Sequence, residues 1–124
     1  MDRPTVIVVE DDPFVRELAA AMLEETDLHV VEAVSAEEAL AYLREHGPDV
    51  RMVFADLWLA GRLDGVDLAH CIGTRWPWIR VIVTSGNPGD RLRELPRNAE
   101  YMQKPWRALD VLMEAERVIA QANG

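Results

Sequence analysis

Four clusters in this chain carry residue types that could work together: Glu10-Asp11-Asp12, Asp56, Thr84-Ser85 and Lys104. Acids without His or Cys beside them offer oxygen-only ligation, which suits a hard cation such as magnesium. Magnesium takes one or two carboxylates and fills its remaining positions with water and phosphate oxygens. A lysine and a hydroxyl can hold the other oxygens of a phosphoryl group. A carboxylate at the centre of such a site can itself be the nucleophile, giving an aspartyl phosphate. Taken singly, each residue has a plainer role. Asp12 reads as a helix cap, Lys104 as a surface charge, Thr84 as a hydroxyl at a strand end and Asp56 as a solvated acid. An acid that closes the apolar run Met52-Val53-Phe54-Ala55 is nevertheless costly unless it is solvated, paired or bound to metal. The choice turns on whether the chain brings these residues to one place.

The elements that must position them are legible from periodicity. Thr5–Val9 is β-branched throughout and apolar after Thr5, as in a strand buried on both faces. Asp12-Pro13 then opens a helix, and Phe14, Leu18 and Met22 recur at intervals of four, the spacing of a core-facing stripe. A second strand runs from His29 to Val34. Ser35 and Glu38 form a capping box for a second helix, with Ala39, Leu40 and Leu43 as its buried face and Gly47-Pro48 as its stop. The third strand, Met52–Leu57, carries Asp56. A third helix with Val66, Leu68, Ala69 and Ile72 is closed by Pro77. Ile79–Val83 is the fourth strand, ending in Thr84-Ser85-Gly86. Between Asn87 and Asn98 two prolines and a glycine leave a weak fourth helix in which only Leu92 and Leu95 look buried. Glu100–Gln103 is the fifth strand, and Val111, Leu112, Ala115, Val118, Ile119 and Ala122 mark the last helix.

Strands that alternate with helices imply a parallel sheet with right-handed crossovers and helices on both faces. Five strands and five helices predict an α/β, flavodoxin-like doubly wound sheet of order 2-1-3-4-5. Ligands in that fold bind beyond the carboxyl ends of the strands, between strands 1 and 3. Glu10, Asp11, Asp56, Thr84 and Lys104 all follow carboxyl ends of strands 1, 3, 4 and 5. Their joint placement outweighs the single-residue explanations.

Composition narrows the function further. With 13 Lys and Arg against 22 Asp and Glu, the net charge is −9, so a phosphate-backbone surface is not expected. The single cysteine, Cys71, falls in an apolar helical pattern and reads as a small core residue in a reducing compartment. No signal peptide or membrane span is visible. The 124 residues suit one domain, 1–124, with nothing left for an output domain. His29, His46 and His70 fall away from the site edge and read as surface residues.

Val8-Val9-Glu10-Asp11, Asp56, Thr84-Ser85 and Lys104-Pro105, in this order over the whole chain, resemble the receiver domain of bacterial two-component response regulators. The resemblance implies a phosphoacceptor signalling domain, not an enzyme in its own right, although it assists its own phosphorylation and dephosphorylation. Asp56 would accept a phosphoryl group from a sensor histidine kinase or a phosphotransfer protein. Asp11, Asp56 and the backbone carbonyl of Trp58 would hold Mg2+, with Glu10 reaching it through water. Thr84 and Lys104 would hold the phosphoryl oxygens, and Tyr101, three before Lys104, matches the aromatic switch. Further implications are a cytoplasmic setting and a downstream protein that docks where the fourth helix, fifth strand and fifth helix meet. Homodimer formation is also allowed, and neither nucleic acid nor membrane is a direct partner. Leu59-Ala60 stands where the family often has Met-Pro. Asp64-Gly65 still closes the loop, so the same path is expected with less rigidity. The alternative within the family is a degenerate receiver that binds partners without phosphorylation, against which Asp56, Thr84 and Lys104 stand intact. A haloacid dehalogenase-type phosphatase normally needs an acid two residues past its nucleophile, where this chain has Trp58. A flavin module would need a phosphate loop where this chain has acids.

Overall fold

The structure, a computed structural model, describes residues 3–123. Five parallel strands, β1 (Thr5–Val9), β2 (His29–Ala33), β3 (Val50–Asp56), β4 (Arg80–Ser85) and β5 (Ala99–Gln103), form one sheet in the order β2-β1-β3-β4-β5. This is the expected doubly wound topology. β1 is buried along its whole length and β3 nearly so, because both lie inside the sheet with helices above and below. The reversal of strand order falls between β1 and β3, and their carboxyl ends bring Glu10 and Asp56 to the same crevice.

Four α-helices cover the sheet: α1 (Pro13–Glu24), α2 (Ala36–His46), α3 (Gly65–Arg75) and α4 (Ala108–Asn123). The expected fourth helical connection, between β4 and β5, is a six-residue 3-10 helix, Gly89–Glu94. Pro88, Gly89 and Pro96 limit its length, and Leu92 and Leu95 are only half-buried. The last expected helix is therefore α4. It buries Val111, Ala115, Val118 and Ile119, while Leu112 is half-buried and Ala122 is exposed.

The core splits across the sheet. One cluster joins Ile7, Val53 and Val83 to Leu40 and Leu43 of α2 and to Leu68 and Ile72 of α3. The other joins Val6, Val8, Phe54 and Ile82 to Ala19 and Leu23 of α1 and to Val111 and Val118 of α4. Alternate residues of each strand thus feed opposite layers, as a period of two requires.

The first helix buries a different face from the one expected. Phe14 and Leu18 do not face the core: they are 84% and 54% exposed, and Met22 is half-buried. The buried face of α1 is Ala19, Ala20 and Leu23. Val15, Ala19 and Leu23 repeat at the same interval of four, one residue out of phase, so spacing alone does not choose between the stripes. The alanines decide it, because their small side chains let α1 sit close to β1. The larger stripe is left beside Pro105 and Trp106, where Val15, Leu18, Met22 and Lys104 complete an apolar groove of about 380 Å³.

The caps follow the sequence at α1 and only in part at α2. Asp12 Oδ1 accepts from the amides of Phe14 and Val15 at 2.9 and 3.3 Å, the capping role expected of the third acid. Ser35 Oγ accepts from the Glu38 amide at 3.1 Å, but the return bond of a full capping box is not made there among the described residues. A complete capping box forms instead at α3, between Asp64 and Asp67.

Candidate functional site

Glu10 follows β1 directly, and its amide donates to the Ala33 carbonyl of β2 at 3.0 Å. Its own carbonyl accepts from Arg16 Nη1 at 3.0 Å, while Arg16 Nε pairs with Glu32 at 3.2 Å. The turn is thereby tied both to α1 and to the sheet edge. The carboxylate points inward: Glu10 is 5% exposed, and its Oε2 accepts from the Asp12 amide at 3.2 Å.

Asp56 closes β3 and is 9% exposed. Its main chain is held tightly. The next amide, Leu57 N, donates to the Thr84 carbonyl at 2.9 Å, and Gly65 N donates to the Leu57 carbonyl at 2.8 Å. Gly65 opens α3 so close to this strand that a Cβ there would stand 2.5 Å from the Asp56 carbonyl oxygen. Only glycine allows that approach.

Lys104 reaches both acids, with Nζ 3.1 Å from Glu10 Oε1 and 3.0 Å from Asp56 Oδ1. Asp11 is exposed, and its Oδ2 accepts from the Ala60 amide at 3.3 Å. Glu10, Asp11 and Asp56 each offer a carboxylate oxygen, and the three atoms lie within 4.8 Å of one another. Burial raises the Glu10 carboxyl above its usual range and the Asp56 charge adds to it. The bond from the Asp12 amide and the Lys104 ammonium oppose this without cancelling it. For Lys104, burial works to lower the value, but the bonds and charges of Asp56 and Glu10 outweigh it and raise it.

Thr84 pairs with Asp56 in the β3–β4 register and is 1% exposed. Its hydroxyl accepts from the indole Nε1 of Trp106. Tyr101 lies on β5 opposite Val83. Its hydroxyl donates to the Ser85 carbonyl at 2.5 Å and lies 2.8 Å from Gln103 Oε1, so it rests against the end of β4. Trp58, two residues past Asp56, is half-exposed, and its indole donates to the Asn87 carbonyl at 2.9 Å, linking the loops after β3 and β4.

All the residues singled out from sequence therefore lie at the carboxyl edge. Glu10, Asp56 and Lys104 touch, Asp11 joins their oxygen cluster, and Thr84 stands beside Asp56 on the neighbouring strand. Among the described residues Tyr101 makes no hydrogen bond with them, and its hydroxyl faces the end of β4. His29, His46 and His70 are exposed and away from the site. Sequence reading missed Trp106. It sits two residues after Lys104, behind a proline that reads as a terminator, and only the tertiary path returns its ring over β3. The Lys104–Pro105 peptide is cis.

A doubly wound sheet with an acid triad, a lysine and a buried hydroxyl at its switch point defines the receiver class of signalling domains. The chain belongs to the response regulator receiver domain family, whose model matches residues 6–115. It is 36% identical to the transcriptional regulatory protein AruR of Pseudomonas aeruginosa, covering 97% of this chain and 51% of that protein. It is 30% identical to the nitrogen assimilation regulatory protein NtrX of Azorhizobium caulinodans, covering 92% of this chain and 26% of that one. The chain thus spans between a quarter and a half of the length of these two curated relatives. Among solved structures, the receiver domain of NtrX from Brucella abortus is similar with a TM-score of 0.77 and 30% identity, over 93% of this chain and 98% of that one. A receiver domain from Clostridium thermocellum shares the fold at a TM-score of 0.86 and 24% identity, over 97% of each chain. No helix of the described residues is long and apolar enough to cross a membrane.

Proposed function

We propose that this receiver domain accepts a phosphoryl group on Asp56 from the phosphohistidine of a sensor kinase or phosphotransfer protein, in a magnesium-dependent reaction. The observation that carries the reading is the Lys104 ammonium bridging Glu10 and Asp56, with Asp11 completing the oxygen cluster. Three converging carboxylates against one cation leave excess negative charge in a half-buried crevice, the donor set a hard divalent ion requires. Asp11, Asp56 and the backbone carbonyl of Trp58 would hold Mg2+, with Glu10 acting through water. Bound there, the ion supplies neutralisation of the phosphoryl oxygens.

The chain's own residues do the rest. An Asp56 carboxylate oxygen attacks phosphorus, and the O–P bond forms as the donor's N–P bond breaks. The electron pair leaves with the imidazole nitrogen, which takes up a proton from solvent. Lys104, already 3.0 Å from Asp56, passes from its carboxylate to a phosphoryl oxygen, and the Thr84 hydroxyl donates to another. Drawing Thr84 inward frees space behind it into which Tyr101 can turn, a two-state change read on the face of the 3-10 helix, β5 and α4. We take residues 1–124 as one receiver domain that acts in the cytoplasm by binding a downstream protein there, with homodimer formation also allowed. It is a signalling domain, not an enzyme acting on a separate substrate.

The test is incubation with acetyl phosphate and Mg2+, followed by mass mapping. One phosphoryl group on Asp56 is expected, lost in Asp56→Asn and lost with chelator. Labelling without any divalent ion would refute the reading.

A further inference from the structure

The Thr84 hydroxyl is satisfied by a residue that the phosphoryl chemistry above does not use. Among the described residues its Oγ makes one hydrogen bond, accepting from Trp106 Nε1 at 2.5 Å. An indole N–H only donates, whereas a hydroxyl has one proton and two lone pairs. Trp106 therefore occupies a lone pair and leaves the proton of Thr84 uncommitted. The ring that delivers this N–H is itself held in place. It packs edge-on against Phe54 of β3, with centroids 5.2 Å apart and planes at 69°, and Lys104 Nζ lies 5.7 Å from its centroid. Trp106 also lines the same small cleft as Glu10, Asp56 and Thr84.

We propose that Trp106 is a positioning residue for phosphoryl transfer: its indole N–H holds the Thr84 hydroxyl as an acceptor, so that the single hydroxyl proton points to the phosphoryl oxygens on Asp56. This rests on Asp56 being the phosphoacceptor. A phenylalanine at position 106 would fill the space against Phe54 but leave the hydroxyl free to rotate. Without that donor nothing fixes the lone pairs of the hydroxyl, so its proton is no longer directed to one side.

A double-mutant cycle on the intact chain tests this, with acetyl phosphate and Mg2+ as the probe. Trp106→Phe, Thr84→Val and the double variant are compared for the rate of Asp56 labelling. Trp106→Phe is expected to slow labelling roughly fivefold, the size of one neutral hydrogen bond, and to have no further effect in the Thr84→Val background. A wild-type rate in Trp106→Phe, or an equal loss in both backgrounds, would overturn the proposal. Should Trp106→Phe fail to fold, the indole ¹H–¹⁵N signal of Trp106 decides. It should keep its position in Thr84→Ser and move upfield in Thr84→Val, and no movement in either overturns the proposal. Wild-type protein that takes no label defeats the phosphoacceptor reading and this inference with it. Labelled wild type with an additive cycle defeats this inference alone.

Discussion

Lys104 decides the electrostatics of the crevice. From sequence, three acids facing one crevice with Lys104 as the only nearby cation suggest a site strained by repulsion until magnesium arrives. Folded, the ammonium already sits between Glu10 and Asp56 at 3.1 and 3.0 Å, and their side chains are 6% and 11% exposed. Pairs this dry are not surface salt bridges, whose contribution is near zero. Removing one partner leaves the others buried and uncompensated. Lys104→Met keeps the stem and removes the charge. In chelator it is expected to lose about 2 kcal/mol, below the range for a fully buried pair because the lysine is partly solvated. Magnesium should restore most of that loss, since two positive charges then replace one. Urea melts with and without Mg2+ provide the measurement. A variant as stable as wild type in chelator would mean the bridge contributes nothing to folding.

At the scale of elements, the six-residue 3-10 helix between β4 and β5 is held by charge where a longer helix would be held by an apolar face. Arg91 donates to Asp64 at 2.8 and 3.0 Å and to Asp67 at 2.8 Å, and pairs with Glu94 at 2.9 Å. It thereby fastens this segment to the capping box of α3. Burial alone would raise the Asp64 carboxyl. The Arg91 bonds, the Asp67 amide and the Arg91 charge outweigh that and lower it below the usual carboxylate range. A depressed folded value means that the unfolded chain takes up the proton first as pH falls. The stability it contributes is whole above the unfolded value and is lost as pH drops through the folded one. Asp64→Asn keeps a competent N-cap while removing the charge and one of the two oxygens that accept from Arg91. Its deficit against wild type should be constant above about pH 5 and shrink below the ordinary aspartate value. Thermal melts from pH 7 to pH 2.5 measure it. A deficit unchanged down to pH 2.5 would show that the charge is idle.

For the whole molecule, the site edge and the proposed signalling face are joined through β4 and β5. Thr84 and Tyr101 sit one register step apart on these neighbours, and Tyr101 is tied to Ser85 at the end of β4. Phosphorylation at Asp56 should therefore move amide signals beyond the crevice, in β5, the 3-10 helix and the start of α4. Thr84→Ala should accept the phosphoryl group more slowly and leave that distant set in place. Two-dimensional amide spectra of phosphorylated and free protein make the comparison. Changes confined to the residues around Asp56 in the wild type would rule out the switch. Magnesium alone, binding only the folded arrangement, should stabilise by about 1.4 kcal/mol at ten times its dissociation constant.

The alternation of apolar strands and amphipathic helices pointed to a doubly wound parallel sheet, and in that class of fold ligands sit at the switch point. Glu10, Asp11, Asp56, Thr84 and Lys104 were legible because each lies at or just past the carboxyl end of a strand, so topology carries them to one edge whatever the side-chain detail. Three things were decided only by tertiary packing. The face of α1 that is buried depended on how closely alanines allow the helix to approach β1, since two stripes share the same spacing. The pairing of Lys104 with both acids depended on a span of 94 residues between Lys104 and Glu10. Trp106 became part of the site because the chain after Lys104 turns its ring back onto Phe54 and Thr84. Local periodicity encodes burial and direction along an element. It does not encode which of several equally spaced groups a distant residue will meet.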